Sequence, residues 1–156
     1  MGTKQKAIKY FRGKNAFLDN GYPVRIEYEG MTFPSVEAAF QAAKSWDVRH
    51  RLACSKADTP VIAKRLGRKV ALRPDWEEKK LAIMKELLEQ KFRYFELRHQ
   101  LLSTGDAELV AGNQQGDGFW GQVKGEGENH LGRLLMEVRE EIRAEETDQN
   151  TVLLEK

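Results

Sequence analysis

The chain has 156 residues, 26 of them basic and 24 acidic, for a net charge of +2, and 40% of it is hydrophobic. That length can bury one sizeable core, and the near balance of charge excludes a global basic field of the kind that advertises nucleic acid. The single cysteine, Cys54, excludes an intrachain disulfide and fits a reducing compartment, with a small buried side chain as its expected role. No apolar run approaches the ~20 residues of a membrane span, and the basic start MGTKQKAIKYF lacks the apolar core of a secretory signal. A cytoplasmic protein with no membrane partner is the expectation.

The first regular element is VRIEYE at 24–29, where Val24, Ile26 and Tyr28 alternate with Arg25, Glu27 and Glu29 as in a half-buried strand. Gly30 turns the chain into Met31, Thr32 and Phe33, a short hairpin partner. Ser35 then caps a helix, SVEAAFQAAKSW. Val36, Ala39, Phe40 and Ala43 form its apolar face. At 100° per residue Glu37, Gln41 and Lys44 fall within about 60° of one another, in one polar stripe. Taken alone, that pattern favours a solvated stripe with an i,i+4 pair over a site.

Thr59 and Pro60 predict a helix start and Gly67 its stop. A short extended piece, KVALR, leads to a long helix from about Asp75. Asp75 and Glu78 suit a capping box, and Leu81, Met84, Leu87, Leu88 and Phe92 form its apolar stripe. A further helical turn or two ends at Gly105, and Leu109 and Val110 read as a short strand. The last helix starts near Asn129 and carries Leu131, Leu134, Leu135, Val138 and Ile142 on one side. These elements predict an α+β fold: one helix-dominated domain over 1–146 with a small sheet or hairpin, then a flexible tail over 147–156. Two basic clusters, Arg49, Arg51 and Lys56, then Lys64, Arg65, Arg68 and Lys69, read as solvated helix faces.

Short enzyme signatures are missing. His50, His99 and His130 have no metal-ligand spacing, so no metal or cofactor is expected. No Walker motif, no G-x-G-x-x-G after a strand and no G-x-S-x-G occurs. A dispersed polar and aromatic set remains: Glu37, Gln41, Lys44 and Trp76, then Asn113, Asp117, Trp120, Glu128 and Asn129. The last five lie in or beside two glycine-rich runs, NQQGDGFWG at 113–121 and GEGENHLG at 125–132. Glycines let backbone N–H groups approach a ligand, and a helix start offers donors to an anion. Tryptophan stacks on heterocycles, and carboxylates polarise water or stabilise a cationic sugar. A nucleotide or sugar-phosphate pocket fits the set. Turn chemistry for Asn113 and Asp117, and a core anchor for Trp120, fit it equally well.

The motifs S-x-E-x-x-F-Q-x-x-K (35–44), A-K-x-L-G-R-x-V-x-L-R-x-D-W (63–76), L-L-x-T-G (101–105), N-x-x-x-D-x-F-W-G (113–121) and G-E-N-x-L-G-x-L-L-M-x-V-R (127–139) resemble, in order, the YbiA-like or NADAR family. The resemblance runs from about residue 17 to 143. It implies a hydrolase acting on N-glycosyl compounds. The substrate it implies is a ribosylated pyrimidine phosphate, an intermediate of riboflavin biosynthesis, split at ribose C1′–N without metal. The alternative is an ADP-ribosyl-guanine hydrolase whose partner is ADP-ribosylated nucleic acid, and a third reading is a non-catalytic binding module for an ADP-ribose-like nucleotide.

On that resemblance Glu37 is the catalytic carboxylate and Asp117 a second one assisting the leaving base. Gln41 stands beside Glu37, and Lys44 binds phosphate or keeps Glu37 ionised. Trp120 and Trp76 stack on the base, and Arg68 or Arg73 holds a phosphate. Asn113, Glu128 and Asn129 shape the site. Three departures stand out: Asp19 and Gly21 replace Ser and Phe of F-L-S-N-F-Y-P, and Ala111 stands where an acid commonly precedes the Asn motif.

Overall fold

The computed structural model describes residues 6–155, with side chains described through residue 149. Two compact units make up the chain: residues 19–91 form one, and the segments before 19 and after 91 form the other. The secondary structure is helix-dominated, with a two-stranded antiparallel sheet.

In the 19–91 unit, β1 (Ile26–Tyr28) pairs with β2 (Met31–Phe33), Ile26 opposite Phe33 and Tyr28 opposite Met31. Glu29 and Gly30 turn the hairpin with φ of 45° and 85°, the positive values a tight two-residue turn demands. The ladder is shorter than the alternation from Val24 suggests. Val24 N–H still reaches the Pro34 carbonyl at 3.1 Å, but proline has no N–H to return the bond.

Helix α1 (Val36–Ala43) is capped by Ser35, whose Oγ accepts from Ala38 N–H at 3.1 Å. All eight of its residues are buried, Glu37 and Gln41 included. A helix buried all round belongs to a core, so Glu37 and Gln41 do not sit on a solvated stripe.

Helix α2 (Val48–Ser55) was not expected from the sequence. Asp47 caps it, accepting from Arg49 N–H at 2.9 Å. Only Arg51 and Cys54 are buried on it, so it carries no apolar periodicity to read. Helix α3 (Pro60–Lys69) starts as predicted, with Thr59 Oγ1 accepting from Ile62 N–H at 3.2 Å. It then runs through Gly67, the expected stop. That glycine answers to packing instead: a Cβ on it would overlap the Gln41 carboxamide.

Helix α4 (Trp76–Lys91) buries Trp76, Ile83, Met84, Leu87, Leu88 and Lys91. The capping box does not form, because the Asp75 carboxylate binds the Arg73 guanidinium at 2.6 and 3.0 Å. Leu81 lies off the buried face, 38% exposed.

The other unit holds a 3-10 helix (Gly13–Leu18), α5 (Phe95–Ser103) and α6 (His130–Glu155). Its core includes Phe17, Leu18, Phe92, Leu101, Leu109, Leu135 and Val138. The strand expected at Leu109 and Val110 is a single bridge to Ile8, held by Ile8 N–H to the Glu108 carbonyl and Val110 N–H to the Ile8 carbonyl, both 2.8 Å. The boundary expected at 146/147 falls inside α6, and the side chains of that tail from 150 onward lie outside the described residues. Among the described residues no helix is long and apolar enough to cross a membrane.

Candidate active site

The first turn of α1 meets the loop at 19–22, where Glu37 N–H donates to the Asn20 carbonyl at 2.9 Å. Glu37 is 6% exposed, and its Oε1 lies 3.5 Å from the Nζ of Lys64 on α3. Burial pushes the Glu37 pKa up; Lys64 opposes that, Asp19 adds to it, and Lys44 opposes it. A carboxylate taken from water is costly unless paired, and Lys64 supplies the pair. Lys44 follows directly after α1, half-buried. Burial lowers its pKa, Glu37 raises it, and Arg68 and Lys80 lower it by repulsion. Lys64 and Lys44 thus set positive charge beside a buried acid, and Arg68 and Lys80 add to it around Lys44, with Lys80 also paired to Glu77 at 2.6 Å. That is the arrangement an anionic substrate with a cation-forming centre calls for.

Gln41 lies one turn beyond Glu37 and is buried against Gly67. Its Oε1 has no hydrogen-bond partner, and neither has the buried Oδ1 of Asn20. A buried acceptor left unpaired costs about 1–3 kcal/mol. Such positions receive hydroxyl or N–H donors readily.

The other site candidates from residues 63–76 take different roles. Arg73 is committed to Asp75, approaches the Ala43 carbonyl and stacks over the exposed Trp46 ring at 5.1 Å. Its donors hold the chain together instead of waiting for a phosphate. Trp76 is 5% exposed and packs on Phe40, ring centroids 5.0 Å apart. That is a core position, which corrects the expectation of a base-stacking platform. Arg68 is exposed and remains beside Lys44.

The glycine-rich cluster belongs to the other unit. Asn113 Oδ1 accepts from Gln115 and Asp117 N–H at 3.1 and 3.0 Å, and its Nδ2 donates to the Asp117 carbonyl at 2.8 Å. Asp117 Oδ1 in turn accepts from Phe119 and Trp120 N–H at 3.1 and 2.9 Å. Both side chains therefore perform turn chemistry, one acceptor serving two backbone donors. Asn129 is buried and bridges two backbone groups, Ala111 N–H at 2.9 Å and the Leu109 carbonyl at 2.9 Å.

Phe119, Trp120 and His130 form an aromatic cluster, with Phe119 5.0 Å from Trp120 and 4.5 Å from His130. Trp120 is half-buried, and Glu128 is exposed with its carboxylate 3.6 Å from His130 Nε2. Gly121 and Gly132 are required by closeness: a Cβ on either would overlap a backbone carbonyl, of Ala111 and Leu109 respectively.

Sequence reasoning missed Lys91, read Lys64 as part of a solvated helix face, and noted Asp19 only as a departure from the family pattern. Lys91 is fully buried, donates to the Asp19 carbonyl at 2.8 Å and has its pKa lowered by burial to about 7. A readable signal existed, since Met84, Leu87, Leu88 and Lys91 follow the i, i+3, i+4, i+7 spacing of one buried face. Lys64 sits beside Ala63 and Gly67, two small residues one turn apart that mark a close helix contact. Cys54 is buried, and burial pushes its thiol pKa up to about 11, which disfavours the thiolate a nucleophile needs. Among the described residues no three His, Cys, Asp or Glu side chains gather as a metal site would need.

Comparison with known proteins matches residues 3–143 to the NADAR domain. The N-glycosidase YbiA of Escherichia coli is 38% identical over 128 residues, covering 80% of this chain and 78% of that one. An N-glycosidase of Nostoc punctiforme is 40% identical over 133 residues, covering 81% and 85%. A riboflavin biosynthesis protein of Vibrio vulnificus is 40% identical over 133 residues, where this chain spans 36% of the longer protein. The NMR structure of E. coli YbiA superposes with a TM-score of 0.82 at 34% identity, covering 94% of this chain and 90% of that one.

Proposed function

We propose, from the premise that this chain belongs to the NADAR domain family and is an N-glycosidase, that it hydrolyses the ribose C1′–N bond of a ribosylated pyrimidine phosphate of the riboflavin pathway. The observation that carries the reading is Glu37, buried on α1, paired with Lys64 and close to Lys44, which Arg68 in turn approaches.

Cleavage of an N-glycoside builds positive charge at C1′ as the bonding pair moves to the base nitrogen. A carboxylate held close stabilises that charge more than it stabilises the neutral ground state, which is the condition for catalysis. Glu37 also takes the proton of the attacking water as its oxygen bonds to C1′. Glu37 then gives up that proton, through solvent, to the departing nitrogen, and ribose 5-phosphate and the free aminopyrimidine leave with Glu37 again a carboxylate. Lys44 and Arg68 hold the phosphate; Lys64 keeps Glu37 ionised. Gln41 Oε1 and Asn20 Oδ1, acceptors without partners, take hydroxyl donors of the sugar.

The test is a paired hydrolysis assay of wild type and Glu37→Gln. The substrates are a ribosylaminopyrimidine phosphate and an ADP-ribosylated guanine oligonucleotide. The proposal expects ribose phosphate released from the first by wild type, and a loss of about 10³-fold or more in the variant. Turnover of the oligonucleotide alone would move the substrate to ADP-ribosyl-guanine. No turnover of either would leave a binding module.

A further inference from the structure

Hydrogen bonds tie down the loop at 19–22. The Asp19 carbonyl accepts from buried Lys91, the Asn20 carbonyl accepts from Glu37 N–H, and Asp19 Oδ2 accepts from Gly21 N–H at 2.9 Å. A Cβ on Gly21 would stand 2.9 Å from both Asp19 Oδ2 and Pro60 Cγ. The Asp19 carboxylate and the first residue of α3 therefore both flank Gly21, and one turn further on α3 delivers Lys64 to Glu37. Asp19 is exposed where Glu37 is buried, and its charge raises the pKa of Glu37. Its Oδ1 makes no hydrogen bond among the described residues. An acid placed beside another acid costs the fold repulsion. A substrate hydroxyl that bonds to it, next to a centre turning cationic, gives that repulsion a use.

We propose that Asp19 is a specificity-determining residue of the Glu37 site, accepting a hydrogen bond from the 2′-hydroxyl of the ribose whose C1′ faces Glu37. The inference rests on the N-ribosyl reading above. The 2′-hydroxyl is the sugar donor adjacent to C1′, and it becomes a better donor as C1′ gains positive charge, so the bond strengthens toward the transition state. The substrate class is thereby narrowed to ribosides over 2′-deoxyribosides. Gly21 belongs to the same device, since a side chain there would press on the Asp19 carboxylate.

The experiment compares kcat/KM for a ribosylaminopyrimidine phosphate and its 2′-deoxyribosyl counterpart, in wild type, Asp19→Ser and Asp19→Asn. Wild type is expected to prefer the riboside by roughly 10- to 100-fold, as a hydrogen bond to a charged acceptor is worth. Asp19→Ser keeps an acceptor for Gly21 N–H but is too short to reach the sugar, so the ratio falls to within about threefold of unity. Asp19→Asn keeps a neutral acceptor and gives an intermediate ratio. Thermal melts show whether each variant folds. An unchanged ratio in folded Asp19→Ser, or an equal loss on both substrates, overturns the proposal while leaving the glycosidase reading intact. Failure of wild type to cleave either substrate overturns both.

Discussion

Gly67→Ala separates packing from function at the Glu37 site. A Cβ at residue 67 would overlap Gln41 Oε1, stand 2.8 Å from its Cδ and 3.3 Å from its Cβ. The atoms that must yield are the far end of a flexible side chain, so the carboxamide swings away at a cost of about 0.5–1.5 kcal/mol for an unfavourable rotamer. Alanine in place of glycine inside α3 returns about 1 kcal/mol of helix propensity. The two nearly cancel, and Tm is expected within about 4 °C of wild type. Activity is another matter. Gln41 sits one turn from Glu37, and a displacement of about 1 Å in a positioning group can cost ~100-fold. The expectation is a drop in kcat/KM of about 10- to 100-fold at nearly unchanged stability. Gln41→Ala should cost a similar amount, and the double variant no more than either alone, because both act through one carboxamide. Full activity in Gly67→Ala, or losses that simply add, would refute the reasoning.

Further expectations concern charge and the turn residues. The acid limb of kcat/KM should lie above the ordinary carboxylate range, since burial raises Glu37. Lys64→Met should move the limb higher and Asp19→Ser lower, read from pH–rate profiles; shifts in the same direction would contradict the charge assignment. Lys91 has a folded pKa of about 7 against 10.5 ordinarily, so between those values the unfolded chain binds the extra proton. Stability should therefore rise with pH across that window by up to roughly 1.4 kcal/mol per unit. Lys91→Met should flatten the slope, as urea titrations at several pH values would show. Asn129→Ala strands Ala111 N–H and the Leu109 carbonyl and should cost about 2–4 kcal/mol in chemical denaturation. Asp117→Asn keeps the acceptor for Phe119 and Trp120 N–H. Unchanged turnover would assign Asp117 to the turn, and loss of turnover with an intact melt would assign it to catalysis.

The sequence by itself determined what depends on near neighbours. Alternation at Ile26 and Tyr28 with positive φ at Gly30 specifies the hairpin, Ser35 and Thr59 cap α1 and α3, and the spacing of Leu135, Val138 and Ile142 gives the buried face of α6. Those signals act over a few residues, and a linear reading sees them. The order of the motifs carried the family as well, because it preserves a whole set of contacts that no one motif explains.

Tertiary structure decided where partners come from far along the chain. Whether Glu37 and Gln41 faced water or a core could not be told from one helix. Burial of every α1 residue answers it, through elements that cover α1 from outside its own sequence. Helix α2 was invisible because its contacts demand only Arg51 and Cys54 inside, too few for a period. Gly67 reads as a stop by local chemistry and is in truth a gap cut for Gln41, 26 positions earlier. The spacing of α4 places Lys91 on its buried face, but the group that receives its ammonium, the Asp19 carbonyl, lies 72 residues away. A propensity records what a residue prefers among its neighbours in the chain; desolvation and ion pairing depend on which distant groups the fold brings near.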